Sequence, residues 1–327
     1  VPIISAPEEY NEDRLYVDLR ASIGIPLYLK CEGFNFSGSI KQKAAREMVE
    51  TAEKSGLLGA DSILVESSSG NLGVALGTIA ASRGYRFVCV TDARCNPTTL
   101  RLMEALGAEV HIVTEPDPEG GLLGARLAHV EELLRSDERY IWLNQYLNAN
   151  NLGAHYRQTA PHIADQFPGL DALFVGAGTT GTLMGCAHWF KEHRPGVRIV
   201  AVDSVGSVIF GGPAATRMIP GLGSGVRPPL LDESLVDDVV MVPETETVGM
   251  SHRLVGQGFL FGGSTGTVVA GARRWFADHG VTDGFTAVAV APDLGERYLD
   301  TLYRPEWVRQ NFGEEAHRLE AALTTRS

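Results

Sequence analysis

From Asp61 onward the chain alternates short, β-branched apolar runs with longer stretches whose apolar residues recur at three- and four-residue steps. Ile63-Leu64-Val65 predicts a strand, followed by a Gly-rich turn and a helix through Ala81. Phe87 to Val90 predicts the next strand, with a helix around Thr98 to Leu106; Val110 to Val113 follows, then a helix from about Leu122 to Leu134. A second series starts near Leu173-Phe174-Val175, with a helix from Thr180 to His193. It continues in strands at Ile199 to Val202, Val239 to Val242 and Ala287 to Ala291. Strands alternating with helices imply parallel sheets with helices on both faces. Gln145 to Asn151, poor in regular pattern, separates the two series, so the expectation is an α/β chain with two lobes facing one another. Ligands of such folds bind beyond the carboxyl ends of the strands, which draws attention to the turns after Val65, Val175 and Val202.

Ahead of the first series, Ala44, Ala45, Met48, Val49 and Ala52 give Gln42 to Ser55 a helical period, with Ser37 or Ser39 as the predicted cap. Behind the second, Trp307, Val308, Phe312, Leu319 and Leu323 form an amphipathic tail expected to pack on the larger lobe or on a dimer mate. The 327 residues suffice for two lobes, and 44% apolar with 21% charged residues is a globular composition. A net charge of −12 argues against nucleic acid or an anionic membrane as partner. No apolar run reaches the length of a membrane span and no secretory leader is visible, so a cytoplasmic location is expected. Cys31, Cys89, Cys95 and Cys186 form no CxxC pair and are read as reduced thiols, not as a metal site or a disulfide framework. His155, His162, His188 and His193 lack metal-ligand spacing, so surface or core roles are expected and no metal is assigned.

Four segments carry candidate chemistry. Asn35-Phe36-Ser37-Gly38-Ser39-Ile40-Lys41 puts one lysine in the first turn of a helix, against the positive end of the dipole. That is a poor place for a surface cation and a reasonable one for an amine that must lose its proton and attack a carbonyl; the plain alternative is a solvated lysine. Ser67-Ser68-Ser69-Gly70-Asn71-Leu72-Gly73 follows a strand and opens a helix, so free N–H groups and hydroxyls could hold a carboxylate, or could simply cap the helix. Gly176-Ala177-Gly178-Thr179-Thr180-Gly181-Thr182 also joins a strand to a helix, and its glycines and hydroxyls make a phosphate cradle. It has no lysine, as a Walker loop would, and lacks full dinucleotide glycine spacing. Gly262-Gly263-Ser264-Thr265-Gly266 precedes a helix predicted from about Thr267 to His279 and alone could be a cap.

Together a helix-start lysine, a carboxylate-sized turn, a phosphate cradle and a hydroxyl loop suggest pyridoxal 5'-phosphate. From about Ile25 to Leu302 the chain resembles the fold-type II pyridoxal-phosphate enzymes of the cysteine synthase and cystathionine β-synthase branch. The landmarks appear in order: the Lys41 motif, the Ser-Gly-Asn turn, Ala105-Leu106-Gly107-Ala108, Gln145-Tyr146, the Gly/Thr cradle, the Gly-Gly-Ser loop and Gly295-Glu296-Arg297-Tyr298. The resemblance implies a two-lobed, tryptophan synthase β-like fold of mostly parallel twisted sheets flanked by helices. It implies a smaller, mobile substrate-loop domain at 37–146, a larger phosphate-binding domain at 1–36 plus 147–327, and a homodimer. Lys41 would bind the cofactor covalently and take the substrate α-proton. Asn71 would bond the cofactor's phenolic oxygen, Gly178, Thr179, Thr180, Gly181 and Thr182 would hold its phosphate, and Ser264 would face its ring nitrogen. Ser68, Ser69 and Gly70, with Gln145, would hold the substrate carboxylate. A neutral hydroxyl at the ring nitrogen makes the ring a weaker electron sink, which suits prompt β-elimination to an α-aminoacrylate and ping-pong kinetics.

Departures from the cysteine synthases bear on the substrate. Leu72 stands where a threonine is usual; Val202 to Phe210 lacks the usual Glu-Pro, and Arg217-Met218-Ile219-Pro220-Gly221 lacks a glutamine before its glycine. Arg126 occupies a usually apolar position in a helix bordering the family's site. A buried guanidinium needs a partner, which could be a phosphate leaving group or second substrate carboxylate, or a nearby acid such as Glu131 or Asp117. Tyr146 could bond a larger second substrate or merely pack. These features are similar to the N-(2-amino-2-carboxyethyl)-L-glutamate synthases, which take O-phospho-L-serine and the amine of L-glutamate toward 2,3-diaminopropionate for siderophores or peptide antibiotics. The alternatives are a cysteine synthase using O-acetyl- or O-phosphoserine with sulfide, a cystathionine synthase, or a catalytically silent relative that binds partners.

Overall fold

A computed structural model describes residues 2–118, 120–280 and 284–313. The chain forms two compact units: residues 1–11 with 35–154, and residues 12–34 with 155–327.

The first unit is built on a four-stranded, wholly parallel sheet ordered β5-β4-β3-β6, from β3 (Ile63–Ser67), β4 (Arg86–Asp92), β5 (Glu109–Val113) and β6 (Tyr140–Trp142). All five residues of β3 are buried, as a central parallel strand covered on both faces requires. Alternation then sorts its side chains. Leu64, with Phe87 and Cys89 of β4, packs among residues of α2 (Lys41–Lys54), α3 (Asn71–Arg83) and α4 (Pro97–Ala105). Ile63, Val65, Val88 and Val90 pack instead with Val130 of α5 (Gly121–Ser136). Glu66 has the parity of Leu64, so a carboxylate lies on the face that α2 and α3 cover.

The second unit carries a six-stranded sheet ordered β1-β2-β10-β7-β8-β9. Its strands are β1 (Tyr16–Asp18), β2 (Leu27–Cys31), β7 (Ala172–Gly176), β8 (Arg198–Ser204), β9 (Asp238–Val242) and β10 (Ala287–Ala291). Only the β1–β2 pair is antiparallel. Phe174, Val200, Val202 and Ala289 share a core with Val268, Ala272, Trp275 and Phe276 of α10 (Gly263–His279) and with Met250 and Leu254 of α9 (Glu244–Val255). The α/β fold with mostly parallel sheets flanked by helices, expected from the alternating pattern, is therefore the fold observed.

Several expectations need correction. Neither Ser37 nor Ser39 caps α2: the N-cap is Ile40 and makes no side-chain cap bond. The Ser37 hydroxyl instead donates to Asn35 Oδ1 (2.9 Å), and Gln42 Oε1 accepts from the Ser37 amide (3.1 Å). Helix α10 starts at Gly263, not near Thr267, so Ser264 lies inside its first turn. The patternless Gln145 to Asn151 runs into α6 (Ala149–Ala154), a π-helical turn at His155–Thr159 and α7 (Ala160–Gln166). Asn-rich α6 lacks apolar periodicity and is helical because it packs along α2. The sequence pattern also missed β1, β2, β6 and α9. The C-terminal tail packs within the second unit through Val308, with Trp307 and Phe312, against Ile219, Val248, Tyr298 and Leu302; Leu319 and Leu323 lie outside the described residues.

Phe174 is fully buried, with its ring 5.5 Å from Trp275 and 5.7 Å from Phe276. Phe174→Ala is expected to destabilise the protein by about 3–5 kcal/mol, read as a lower denaturant midpoint in urea unfolding.

Candidate active site

Lys41 is the first residue of α2, and the loop before it is organised by one side chain. Asn35 Oδ1 accepts from the Ser37 hydroxyl and the Ser39 amide (3.3 Å), while Asn35 Nδ2 donates to Ser39 O (2.9 Å) and Asn11 Oδ1 (2.7 Å). This fixes where α2 begins and thus where the lysine emerges. Burial of the amine disfavours the ammonium and lowers the Lys41 pKa to about 8, with Glu66 opposing the shift. The folded chain holds the Lys41 proton less tightly than the unfolded one, so the stability penalty is full below about pH 8 and fades toward the unfolded lysine value of about 10.4. Near pH 8 a large share of the amine is neutral and nucleophilic.

The Ser-Gly-Asn turn lies at the carboxyl end of β3, with Gly70 as the N-cap of α3 and no side-chain cap bond. Ser68 Oγ accepts from the Gly73 amide (3.0 Å) and the Gly70 amide (3.3 Å), which curls the turn over its own hydroxyl. Thiols support it from below: Cys89 Sγ donates to Ser68 O (3.3 Å) and Cys95 Sγ to Ser69 O (3.5 Å). None of the four cysteines is in a disulfide among the described residues. Gln145 reaches the same turn, donating from Nε2 to Ser67 O (3.0 Å), and its own carbonyl accepts from Asn151 Nδ2 (2.8 Å). Asn71 opens α3 on this turn.

Arg126, buried on α5, meets neither Glu131 nor Asp117; its Nε faces Asp92 Oδ2 at the end of β4 (3.2 Å). Burial raises the Tyr146 phenol pKa, the Arg126 charge opposes the rise, and the charges of Glu66 and Asp92 reinforce it. Arg126 and Asp92 thus form a buried ion pair within the first unit, and their charges act on Tyr146 and on Cys95, one of the thiols that bond the Ser-Gly-Asn turn.

In the second unit the Gly/Thr cradle follows β7 and opens α8 (Gly181–His193). Thr180, the N-cap, has φ +66°, a left-handed conformation that a β-branched residue rarely adopts and that this turn imposes. The cradle is pinned by Ala177 N to Val202 O and by Gly223 N to Ala177 O (both 2.8 Å). A Cβ on Gly178 would lie 3.1 Å from Gly221 O, and one on Gly221 would collide with Ser264 Oγ. Gly178, Gly221 and Ser264 therefore line one close-packed place. His155, expected to be unremarkable, is buried in the π-helical turn and contacts Thr182 Oγ1 through Nε2 (3.2 Å) and Thr159 Oγ1 through Nδ1 (3.0 Å). Its four-residue spacing from Thr159 was the available signal, and it does not distinguish a cradle support from a core histidine. In the departing segment after Val202, Asp203 is buried, bonds the Ser204 amide (2.8 Å) and is held up to about 6 by burial.

Ser39, two residues before Lys41, and Thr265, beside Ser264, each bury a hydroxyl that finds no partner among the described residues. In the second unit a glycine-rich turn with threonine hydroxyls at a helix start suits a phosphate, and in the first unit a desolvated amine suits an aldehyde. Among the described residues no group of three or more His, Cys, Asp and Glu could hold a metal, and no helix is long and apolar enough to cross a membrane.

These parts define the class as a pyridoxal-phosphate enzyme. The chain belongs to the pyridoxal-phosphate dependent enzyme family, whose model matches residues 16–293. It is similar to an O-ureido-L-serine synthase of known structure, with 32% identity, TM-score 0.84, and 92% of this chain and 96% of that one covered. It is also similar to a hydrogen sulfide-producing enzyme from Fusobacterium nucleatum, with 30% identity, TM-score 0.85, and 91% and 100% covered. A third similar structure is an O-acetylserine-dependent cystathionine β-synthase from Helicobacter pylori, with 25% identity, TM-score 0.84, and 92% and 99% covered. The protein is a pyridoxal-phosphate-dependent β-replacement enzyme of the cysteine synthase family.

Two outcomes follow. Capture of pyridoxal phosphate by cofactor-free protein, followed as borohydride-trapped adduct, should rise with pH to a midpoint near 8, well below that of an ordinary lysine. Gly221→Val should abolish the visible cofactor band per chain, because the new side chain meets Ser264 Oγ at a position whose φ of +111° already excludes ordinary residues.

Proposed function

We propose that this enzyme replaces the phosphate of O-phospho-L-serine with the amino group of L-glutamate, giving N-(2-amino-2-carboxyethyl)-L-glutamate for 2,3-diaminopropionate in siderophore or peptide antibiotic biosynthesis. One C–O bond breaks, one C–N bond forms, and inorganic phosphate leaves. The observation that carries this reading is Arg126, a buried guanidinium paired with Asp92, whose charge acts on Tyr146 and on the Cys95 thiol that bonds Ser69. Sulfide needs no such group. A phosphate leaving group, or a nucleophile with two carboxylates, does. Asp92 Oδ2 lies 3.2 Å from Nε and balances the guanidinium's buried charge.

Bound pyridoxal phosphate supplies the electron sink that acidifies the α-carbon. The protein's residues do the rest. The Ser68, Ser69 and Gly70 turn, with Gln145, holds the substrate carboxylate. The neutral Lys41 amine, freed when substrate binds, accepts the α-proton and later returns it. Asn71 would bond the ring's phenolic oxygen and Ser264, without charge, would face its ring nitrogen, while Gly178 to Thr182 would hold the cofactor phosphate from the start of α8. The smaller unit acts as the substrate-loop domain, and the working form is a homodimer.

A visible absorption scan tests the substrate. O-phospho-L-serine should shift the cofactor band, and L-glutamate should reverse the shift where sulfide does not. Reversal by sulfide alone would make the protein a cysteine synthase. Arg126→Ala should keep the band of the resting enzyme and lower O-phosphoserine turnover about a hundredfold, the size expected for loss of a buried charge-assisted contact. Unchanged turnover would remove Arg126 from substrate recognition.

A further inference from the structure

Glu66 is fully buried at the carboxyl end of β3, directly before the substrate turn, and the reading above gives it no part. A buried carboxylate is costly unless it is bonded, and this one has three donors. Oε1 accepts from Trp142 Nε1 (3.0 Å) and from the Ser67 amide (2.9 Å); Oε2 accepts from the Gln145 amide (3.2 Å). Gln145 in turn donates from its side chain to Ser67 O. The carboxylate thus closes a ring through Ser67 and Gln145, the residues that begin the substrate turn and flank it. Apolar packing would have served stability as well, without the desolvation of a charge.

We propose that Glu66 is a positioning residue: its buried carboxylate holds Gln145 and the Ser67 to Gly70 turn in register for the substrate carboxylate, and its negative charge governs the protonation of Lys41. The second half rests on placement as well as charge. Glu66 lies on the sheet face that α2 covers, and α2 begins with Lys41. The two groups act on each other electrostatically, Glu66 favouring the Lys41 ammonium and Lys41 favouring the Glu66 carboxylate. Burial holds Glu66 up to about 7, so its charge develops just below the range in which Lys41 titrates. The other titratable groups that feel Glu66 are Cys89 of β4 and Tyr146, and the charges of Asp92 and Arg126 also act on Tyr146. Glu66 favours keeping a proton on the resting amine, so the amine is not fully neutral before a carbonyl arrives. This inference rests on Lys41 as the cofactor lysine and is independent of the nucleophile.

The test uses the full chain stripped of cofactor and scores borohydride-trapped pyridoxal phosphate over a pH series, beside steady-state kinetics of the loaded enzyme. Glu66→Gln should lower the capture midpoint by about one pH unit, the effect of losing a nearby opposite charge. It should also raise KM for the amino-acid substrate about tenfold, because an amide cannot accept from all three donors. Glu66→Asp keeps the charge and shortens the reach, so it should leave the midpoint near wild type and raise KM alone. If Glu66→Gln does not fold, Trp142→Phe removes one donor to the carboxylate and should move the midpoint in the same direction by less. An unmoved midpoint in whichever of Glu66→Gln and Trp142→Phe folds overturns the charge role, and unchanged KM in Glu66→Asp overturns the positioning role, with the cofactor reading intact if wild type captures normally. A wild type that captures no cofactor overturns both readings.

Discussion

The burial of a lysine amine at the start of a helix is the constraint on which much of the first unit depends. Lysine is ordinarily a solvated cation, and bringing its head group out of water is unfavourable. The chain places it at the start of α2, where the helix dipole also disfavours positive charge, and burial lowers its proton affinity to about 8. The rest of the local structure keeps that position from relaxing. Asn35 ties the preceding loop to itself and to Asn11, Gln42 bonds back to Ser37, and α2 is held along α3 and α6. Without those ties the lysine could swing out and regain water.

In the proposed reading the second unit meets a different problem, how to bind a phosphate without a formal positive charge in the turn itself. Backbone N–H groups at the start of α8 and the hydroxyls of Thr179, Thr180 and Thr182 provide donors. Their arrangement demands a left-handed Thr180, and the strain is sustained because Ala177 is bonded to β8 on one side and to Gly223 on the other. The glycine at 221 lets its strand of backbone pass against Ser264, and His155 holds the last hydroxyl of the turn from a π-helical turn, a local widening common at functional sites.

The side chains proposed to choose the substrate come from well-separated segments. Asp92 ends β4, Arg126 lies on α5 and Tyr146 follows β6. Arg126 without Asp92 would be a buried, unbalanced charge; with it, the charge is balanced. The thiols of Cys89 and Cys95 add donors to the Ser-Gly-Asn turn, and burial raises the proton affinity of both, which disfavours the reactive thiolate.

Much of this was legible along the chain, because hydrophobic periodicity and turn chemistry are local. Strands such as Ala287–Ala291 and helices such as α8 emerged from spacing alone, and the Lys41, Ser-Gly-Asn and Gly/Thr segments announced themselves by residue type. Elements that depend on distant partners did not. The short β6 pairs with β3 across more than seventy residues of chain, and α6 is helical only where α2 receives it. The same division holds in the site. Local sequence could say that Arg126 and Glu66 are charged, but not that Asp92 would meet one, nor that Trp142, Ser67 and Gln145 would satisfy the other. A charge's effect depends on the dielectric and donors around it, and those are contributed by parts of the chain that only folding brings together.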